Sequence, residues 1–311
     1  MTLSFGVYIM HRDRLSYLAG LVRSIQDNLK IEIELNIYIS DNSVNYSTRK
    51  KVKDSYHSQY RIIERNGMLS SYQHYWTIIR EAEEDFICIL HDDDLIGYDF
   101  FYSAYKFISS NPHTTALSYN SCSFNNRKQI YSVSHIILRE REVDYKLLVN
   151  KYLSQQSVPA VSGYFYSTKL LKSLNPADYE GIYMDAAFII HLAQRYGNVF
   201  WLPQVKFFSR VHGENESFNE NVQQRGKLIR LLSFGKIIKK DDMLSRYYLI
   251  LSVLRKKNQD GPLILVRGLF SPKVCLDHQL IFIVLRNYVS KIVNRLYATV
   301  FLRILFKNAL K

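Results

Sequence analysis

The chain has 311 residues, of which 47% are hydrophobic and 22% charged, with only 6 prolines and 12 glycines. That is ordinary globular composition, so the chain can build a sizeable core, with little room for a disordered linker. The formal charge of +13 is uneven: residues 1–220 hold 23 Lys+Arg against 24 Asp+Glu, a net of −1, and residues 221–311 hold 18 against 4, a net of +14. The neutral first part carries no electrostatic footprint for nucleic acid. The basic last part points to an anionic partner.

The chain opens on a strand, Leu3–Met10, without a charged stretch followed by an apolar one, so no signal peptide is expected. Leu15–Leu29 places Leu18, Leu21, Val22, Ile25 and Leu29 at helix spacing. Leu35–Ser40 is a second strand, ended by the turn residues Asp41-Asn42-Ser43. Arg61–Glu64 is a third short strand, Leu69–Ala82 a helix, and the apolar run Phe86–Leu90 a fourth, buried strand. This alternation predicts an α/β fold with a mostly parallel sheet flanked by helices.

The middle section is less regular. Tyr98–Ser109 reads as a helix, and Ala116–Asn120, Gln129–Leu138 and Ala160–Ser167 as strands, the last followed by a helix from Thr168. Met184–Tyr196 is helical with Asp185 in its first turn. Phe200–Val211 contains Pro203, which predicts a hairpin or an edge strand. From about residue 225 the chain reads as basic helices. A division into residues 1–220 and a basic helical extension, 221–311, follows.

Three cysteines, Cys88, Cys122 and Cys275, show no paired spacing. A disulfide framework and a zinc site are therefore not expected, and a reducing compartment is the simplest setting. No run of about 18 uncharged apolar residues occurs, so no transmembrane helix is expected. Between Leu280 and Lys311, six Lys and Arg residues lie among Ile, Leu, Val, Phe and Tyr, and no Asp or Glu occurs. That pattern suits a basic helix lying on an anionic membrane surface, or a helical cap with a solvated basic side.

His91-Asp92-Asp93-Asp94 follows the fourth strand directly. Clustered carboxylates repel one another unless a cation lies between them, and the carboxyl ends of such strands are where α/β sheets bind ligands. Hard oxygen donors suit Mg²⁺ or Mn²⁺. A solvated acidic turn is the structural alternative. Asp41 reaches the same edge of the sheet, either as a ligand contact or as the acceptor of an Asx-turn.

Taken in order, these motifs resemble those of the family 2 glycosyltransferases with the GT-A fold, over roughly residues 3–220. Met10-His11-Arg12 is similar to the turn after the family's first strand, and Ser40-Asp41-Asn42-Ser43 to its Asp-Asp-Gly-Ser motif. Arg65-Asn66-Gly67 looks like the Asn-x-Gly segment, and His91-Asp92-Asp93-Asp94 like the Asp-x-Asp-Asp stretch. Met184-Asp185 resembles the later Glu-Asp pair. Arg210-Val211-His212 resembles the Arg-x-His motif. The chain departs from the family at Ser40, His91 and Met184.

The resemblance implies an inverting transfer of sugar from a nucleotide-diphosphate donor to a saccharide or lipid-linked acceptor in bacterial surface-polysaccharide synthesis, by a hexosyltransferase-type enzyme. It implies Asp93, Asp94 and His212 as ligands of Mg²⁺ or Mn²⁺, with Asp93 foremost. It implies Asp41, Asn66, Asp92 and Arg210 as nucleotide-sugar contacts, and Asp185 as the general base. His91 is not expected to be a ligand. No Gln-x-x-Arg-Trp motif of processive synthases occurs, which favours addition of one sugar. With the basic tail, the expected location is cytoplasmic, peripheral on the inner face of the membrane. Two other classes remain open. A nucleotidyltransferase normally shows a Gly-rich loop after the first strand, and Met10–Arg14 has no glycine. A non-catalytic basic binding module is the other.

Overall fold

All seven residues of β1 (Phe5–His11) are buried, and their side chains alternate between two cores. Tyr8 and Met10 enter one core, and Phe5, Val7 and Ile9 the other. This period of two is what a strand in the middle layer of an α/β/α stack requires. The structure is a computed structural model and describes residues 3–29, 33–65, 69–125, 130–133, 137–148, 162–175 and 184–213. The expected basic helices after 221, Asn66-Gly67 and the stretch after Gly213 lie outside the described residues, as does the junction of the two proposed domains.

Helix α1 (Leu15–Gln26) buries Leu18, Leu21, Val22 and Ile25. Next come β2 (Leu35–Asp41), α2 (Tyr46–Tyr56) and β3 (Arg61–Glu64). Helix α3 (Ser71–Glu81) starts at a capping box, in which the Ser70 hydroxyl accepts from the Gln73 N–H and the Gln73 side chain accepts from the Ser70 N–H. Strands β4 (Phe86–His91) and β5 (Leu95–Ile96) lead to helix α4 (Phe100–Ser110). The rest comprises β6 (Ala116–Asn125), β7 (Ile130–Val133), β8 (Arg141–Glu142), β9 (Phe165–Ser167), α5 (Thr168–Lys172), α6 (Met184–Tyr196) and β10 (Val199–Val211).

These strands form one sheet in the order β3-β2-β1-β4-β9-β6-β10-β5, with β7 added beside β6 and β8 beside β10. The first four run parallel, as the sequence predicts, and β9 lies antiparallel to both β4 and β6. One face carries α1 and α4, which pack Leu21, Ile25, Phe100 and Phe101 against Val7, Cys88 and Phe165. The other carries α3 and α6, which pack Trp76, Ile79 and Phe188 against Tyr8, Ile87 and Ile89. Each such side chain, fully buried, contributes about 1.5–3 kcal/mol. Cys88 is a core residue, as expected.

Strand β10 corrects an expectation. It is one long strand inside the sheet, paired parallel with β6 from Val199–Ala116 to Val211–Asn125, with β5 and β8 along its other side. A bulge between Leu202 and Val205 absorbs Pro203. The Asn120 side chain donates to the Pro203 carbonyl at 2.6 Å, so the interrupted ladder remains satisfied. Pro203 therefore forces neither an edge nor a hairpin here.

Candidate functional site

The site lies where β1, β2, β4 and β10 end together. Met10 pairs with His91, and His11 with Asp41, so the register brings the first strand's turn beside both acidic segments. The three consecutive aspartates are all buried, and each has a separate set of partners.

Asp92 is tied to the β1–α1 turn. Its Oδ2 lies 2.8 Å from His11 Nδ1 and accepts from the Arg12 N–H at 3.1 Å, and its Oδ1 lies 2.5 Å from Arg14 Nη2. Asp93 Oδ2 accepts from Arg14 Nη1 at 2.8 Å and lies 2.8 Å from His212 Nε2. Among the described residues its Oδ1 makes no hydrogen bond. Asp94 turns the other way, with Oδ1 accepting from the Arg210 N–H at 3.1 Å and Oδ2 from the Ser162 hydroxyl at 3.0 Å. The same Ser162 hydroxyl accepts from the His91 N–H at 3.1 Å.

Arg210 acts as a brace. Its Nε donates to the Asp93 carbonyl at 2.8 Å, and its guanidinium lies between the rings of Tyr17 and Phe124, 4.9 and 4.5 Å from their centroids. Tyr17 also packs on the His212 ring at 4.9 Å.

His91, Asp93 and Asp94 can each turn a ligand atom toward a common centre, with these atoms within 4.8 Å of one another. Two carboxylates and an imidazole can hold a divalent cation, and Asp93 Oδ1, which accepts no hydrogen bond among the described residues, is open to one. His212 touches Asp93 but is not in this group of three. His91, which the sequence reading set aside, is. Its signal was its place: the last residue of β4, inserted where the family pattern has an aspartate.

The electrostatics separate the two inner carboxylates. Burial works against ionisation of Asp93, but attraction to His91, Arg14 and His212 outweighs it and holds its pKa below the ordinary value. Asp94 is pushed up to about 7, first by burial and then by the charge of Asp93. Of the pair, Asp93 therefore carries the charge, and Asp94 is the group that takes up a proton below about pH 7. Because the folded pKa of Asp94 lies above its unfolded value, protonation favours the folded state, and stability falls as pH rises from about 4 to about 7. In chelator-treated protein, Asp94→Asn is expected to flatten that fall and to gain stability over wild type at pH 8 but not at pH 4. Equal pH dependence of melting for both proteins counts against this charge state.

Asp41 is fully buried at the end of β2. Its Oδ1 accepts from the Ser43 N–H at 2.9 Å, which is the Asx-turn, and its Oδ2 is buried with no hydrogen-bond partner among the described residues. A buried orphan oxygen is costly unless a ligand completes it. Beneath it, Arg65 Nε donates to the Ser40 hydroxyl at 2.7 Å, and that hydroxyl lies 2.7 Å from His74 Nε2. Burial first, and then the charge of Arg65, lower the His74 pKa to about 3. The imidazole is thus neutral and shares a hydrogen bond with the Ser40 hydroxyl, while Arg65 Nη1 pairs with Glu81 at 2.8 Å. Asp185 lies in the first turn of α6. Asn66 lies outside the described residues.

A mixed α/β sheet with its ligand-type carboxylates past the ends of parallel strands defines a Rossmann-like fold of the GT-A kind, the class expected from sequence. Solved structures of Staphylococcus aureus TarS share it. Residues 1–349 of TarS align with a TM-score of 0.57 and 14% identity over 81% of this chain and 71% of that one. TarS in complex with UDP-GlcNAc aligns at 0.60 and 15%, over 81% and 72%, and in complex with UDP at 0.56 and 16%, over 81% and 71%. At such identity the likeness shows the fold. No family model and no curated protein matches the chain.

Proposed function

We propose that this chain is an inverting, metal-dependent glycosyltransferase that moves one sugar from a nucleotide-diphosphate donor to a saccharide or lipid-linked saccharide acceptor in cell-surface polysaccharide synthesis. The observation that carries this reading is the convergence of His91, Asp93 and Asp94 at the end of β4, in a fold shared with a protein whose structure holds UDP-GlcNAc. The single-sugar, inverting and family 2 parts of the proposal rest on the sequence motifs. The membrane-peripheral, cytoplasmic location rests on the basic composition of residues 221–311. Among the described residues no helix is long and apolar enough to cross a membrane.

In this reading Asp93, Asp94 and His91 hold Mg²⁺ or Mn²⁺, and His212 orients Asp93. The ion, when bound, supplies charge to stabilise the departing diphosphate. Asp41 offers Oδ2 to an N–H or O–H of the nucleoside. Asp92 anchors the β1–α1 turn through His11 and Arg14, supporting the nucleotide site from behind. Arg210 keeps Asp93 and Asp94 aimed through the Asp93 carbonyl and the Asp94 side chain. Asp185 takes the proton from the acceptor hydroxyl.

Thermal melts with nucleoside diphosphates test the donor assignment. UDP with Mn²⁺ at about 100 times its Kd adds about 2.7 kcal/mol of stability. An unshifted melting temperature with every nucleoside diphosphate tried, with or without Mn²⁺, overturns the proposal.

A further inference from the structure

The guanidinium of Arg14 lies on Asp93 Oδ2, beside the open Oδ1 of the same carboxylate. It bridges two carboxylates, with Nη1 2.8 Å from Asp93 Oδ2 and Nη2 2.5 Å from Asp92 Oδ1. The carboxylates are inside and the arginine is at the rim: its side chain is 28% exposed, against 0% for Asp92 and 6% for Asp93. Among the described residues its Nε makes no hydrogen bond, so a donor remains for an incoming anion.

The backbone that carries Arg14 is fixed. Asp13 sits in the left-handed region at φ 55, which only a few non-glycine residues adopt. Its N–H donates to the Ser43 hydroxyl at 2.9 Å, and its carboxylate accepts from the Val44 and Asn45 N–H groups at 3.0 and 3.1 Å. The Arg14 carbonyl accepts from Tyr17 and Leu18 at the start of α1. Any movement of the guanidinium is therefore a side-chain movement from a held Cα.

We propose that Arg14 supplies positive charge to Asp93 until donor binds, and then turns its guanidinium to the donor diphosphate. This rests on the metal and nucleotide-diphosphate reading of the site. The physical reason is charge. A divalent ion at Asp93 Oδ1 stands within a few Å of a guanidinium on the same carboxylate, and that repulsion weakens binding of the ion alone. A diphosphate relieves it, because its oxygens accept the planar fork of arginine as well as a carboxylate does. The ion is then bound weakly by itself and tightly with nucleotide, and a site built this way selects the ion–diphosphate complex over free ion.

The experiment is a titration of the full chain with Mn²⁺, in which free Mn²⁺ is read by its electron paramagnetic resonance signal, with and without UDP. Wild type is expected to bind Mn²⁺ more tightly with UDP. Arg14→Gln is expected to raise the affinity for Mn²⁺ alone by about tenfold or more, the scale of a unit charge removed at short range, and to weaken UDP binding at saturating Mn²⁺. Arg14→Lys keeps the charge and is expected to bind Mn²⁺ alone as weakly as wild type. The proposal is overturned if Mn²⁺ alone binds Arg14→Gln no better than wild type, or if UDP leaves the wild-type affinity unchanged. Should Arg14→Gln not fold, a tight, UDP-independent Mn²⁺ site in folded Arg14→Lys overturns it equally. Asp93→Asn separates the two levels: if it binds Mn²⁺ as wild type does, the metal site itself is misplaced.

Discussion

Asp93→Asn is expected to lower sugar transfer on the order of 10³-fold at saturating donor and Mn²⁺. A cation that neutralises a departing diphosphate contributes several kcal/mol, and each ~1.4 kcal/mol is a factor of ten in rate. Asparagine is the informative replacement because its carbonyl can still accept from Arg14 Nη1 and face His212 Nε2, the two partners of Asp93 Oδ2. The fold therefore has its hydrogen bonds, and what is removed is the charge and the ligand atom. Alanine would also strand Arg14 and His212 in a buried site, mixing instability with lost chemistry. Transfer assayed beside near-UV circular dichroism separates the two. A folded Asp93→Asn protein with activity within about twofold of wild type sinks the metal assignment.

Asp185→Asn carries the second large expected effect, a loss of about 10²–10⁴-fold in kcat, the usual worth of a general base. Nucleotide binding should be unchanged, because the base acts on the acceptor. The competing account is local. Asp185 is in the first turn of α6, where a carboxylate gains about 0.3–1 kcal/mol from the helix dipole. The two accounts differ in what is lost: chemistry with little stability, or a little stability with no chemistry. Full transfer activity combined with a slightly lower melting temperature would leave Asp185 as a dipole partner only.

Much of the scaffold was legible from period alone. The apolar run before His91 is β4, and the spacing of Leu18, Leu21, Val22 and Ile25 is the buried face of α1. Helix α2 was not foreseen, because it buries only Thr48 and Val52 and so has no apolar stripe. Its readable signal was Asn45, whose side chain caps the Ser47 N–H. Strand β5, of two residues, is too short to show a period and exists through pairing with β10, whereas the expected strand Ala160–Ser167 is represented by β9 (Phe165–Ser167), paired with β4 and β6.

The site was half legible. The order of motifs pointed to Asp41, Asp93, Asp94 and His212, but not to what holds them. Arg14 and His11 meet the acidic segment across about 80 residues of sequence, and Ser162 meets Asp94 across 68. Nothing local in Arg14 or Ser162 marks such a contact, since it is created by strand register. Ser40 was read as the loss of a family aspartate. In the structure it joins Arg65 to a neutral His74, a buried network in which another carboxylate would add a second anion to desolvate.

The contacts that β10 makes have a consequence for how the protein comes into being during synthesis. Strands β1 to β4 have each other as neighbours and can assemble as soon as residue 91 has emerged. Asp93 and Asp94, however, wait for Arg210 and His212, which are synthesised more than a hundred residues later. Until β10 slides in beside β6, two adjacent buried-type carboxylates lack part of their counter-charge and bracing. A chain stopped before Val199 would therefore have most of a sheet and an unfinished site, its two inner carboxylates short of the partners that hold them apart.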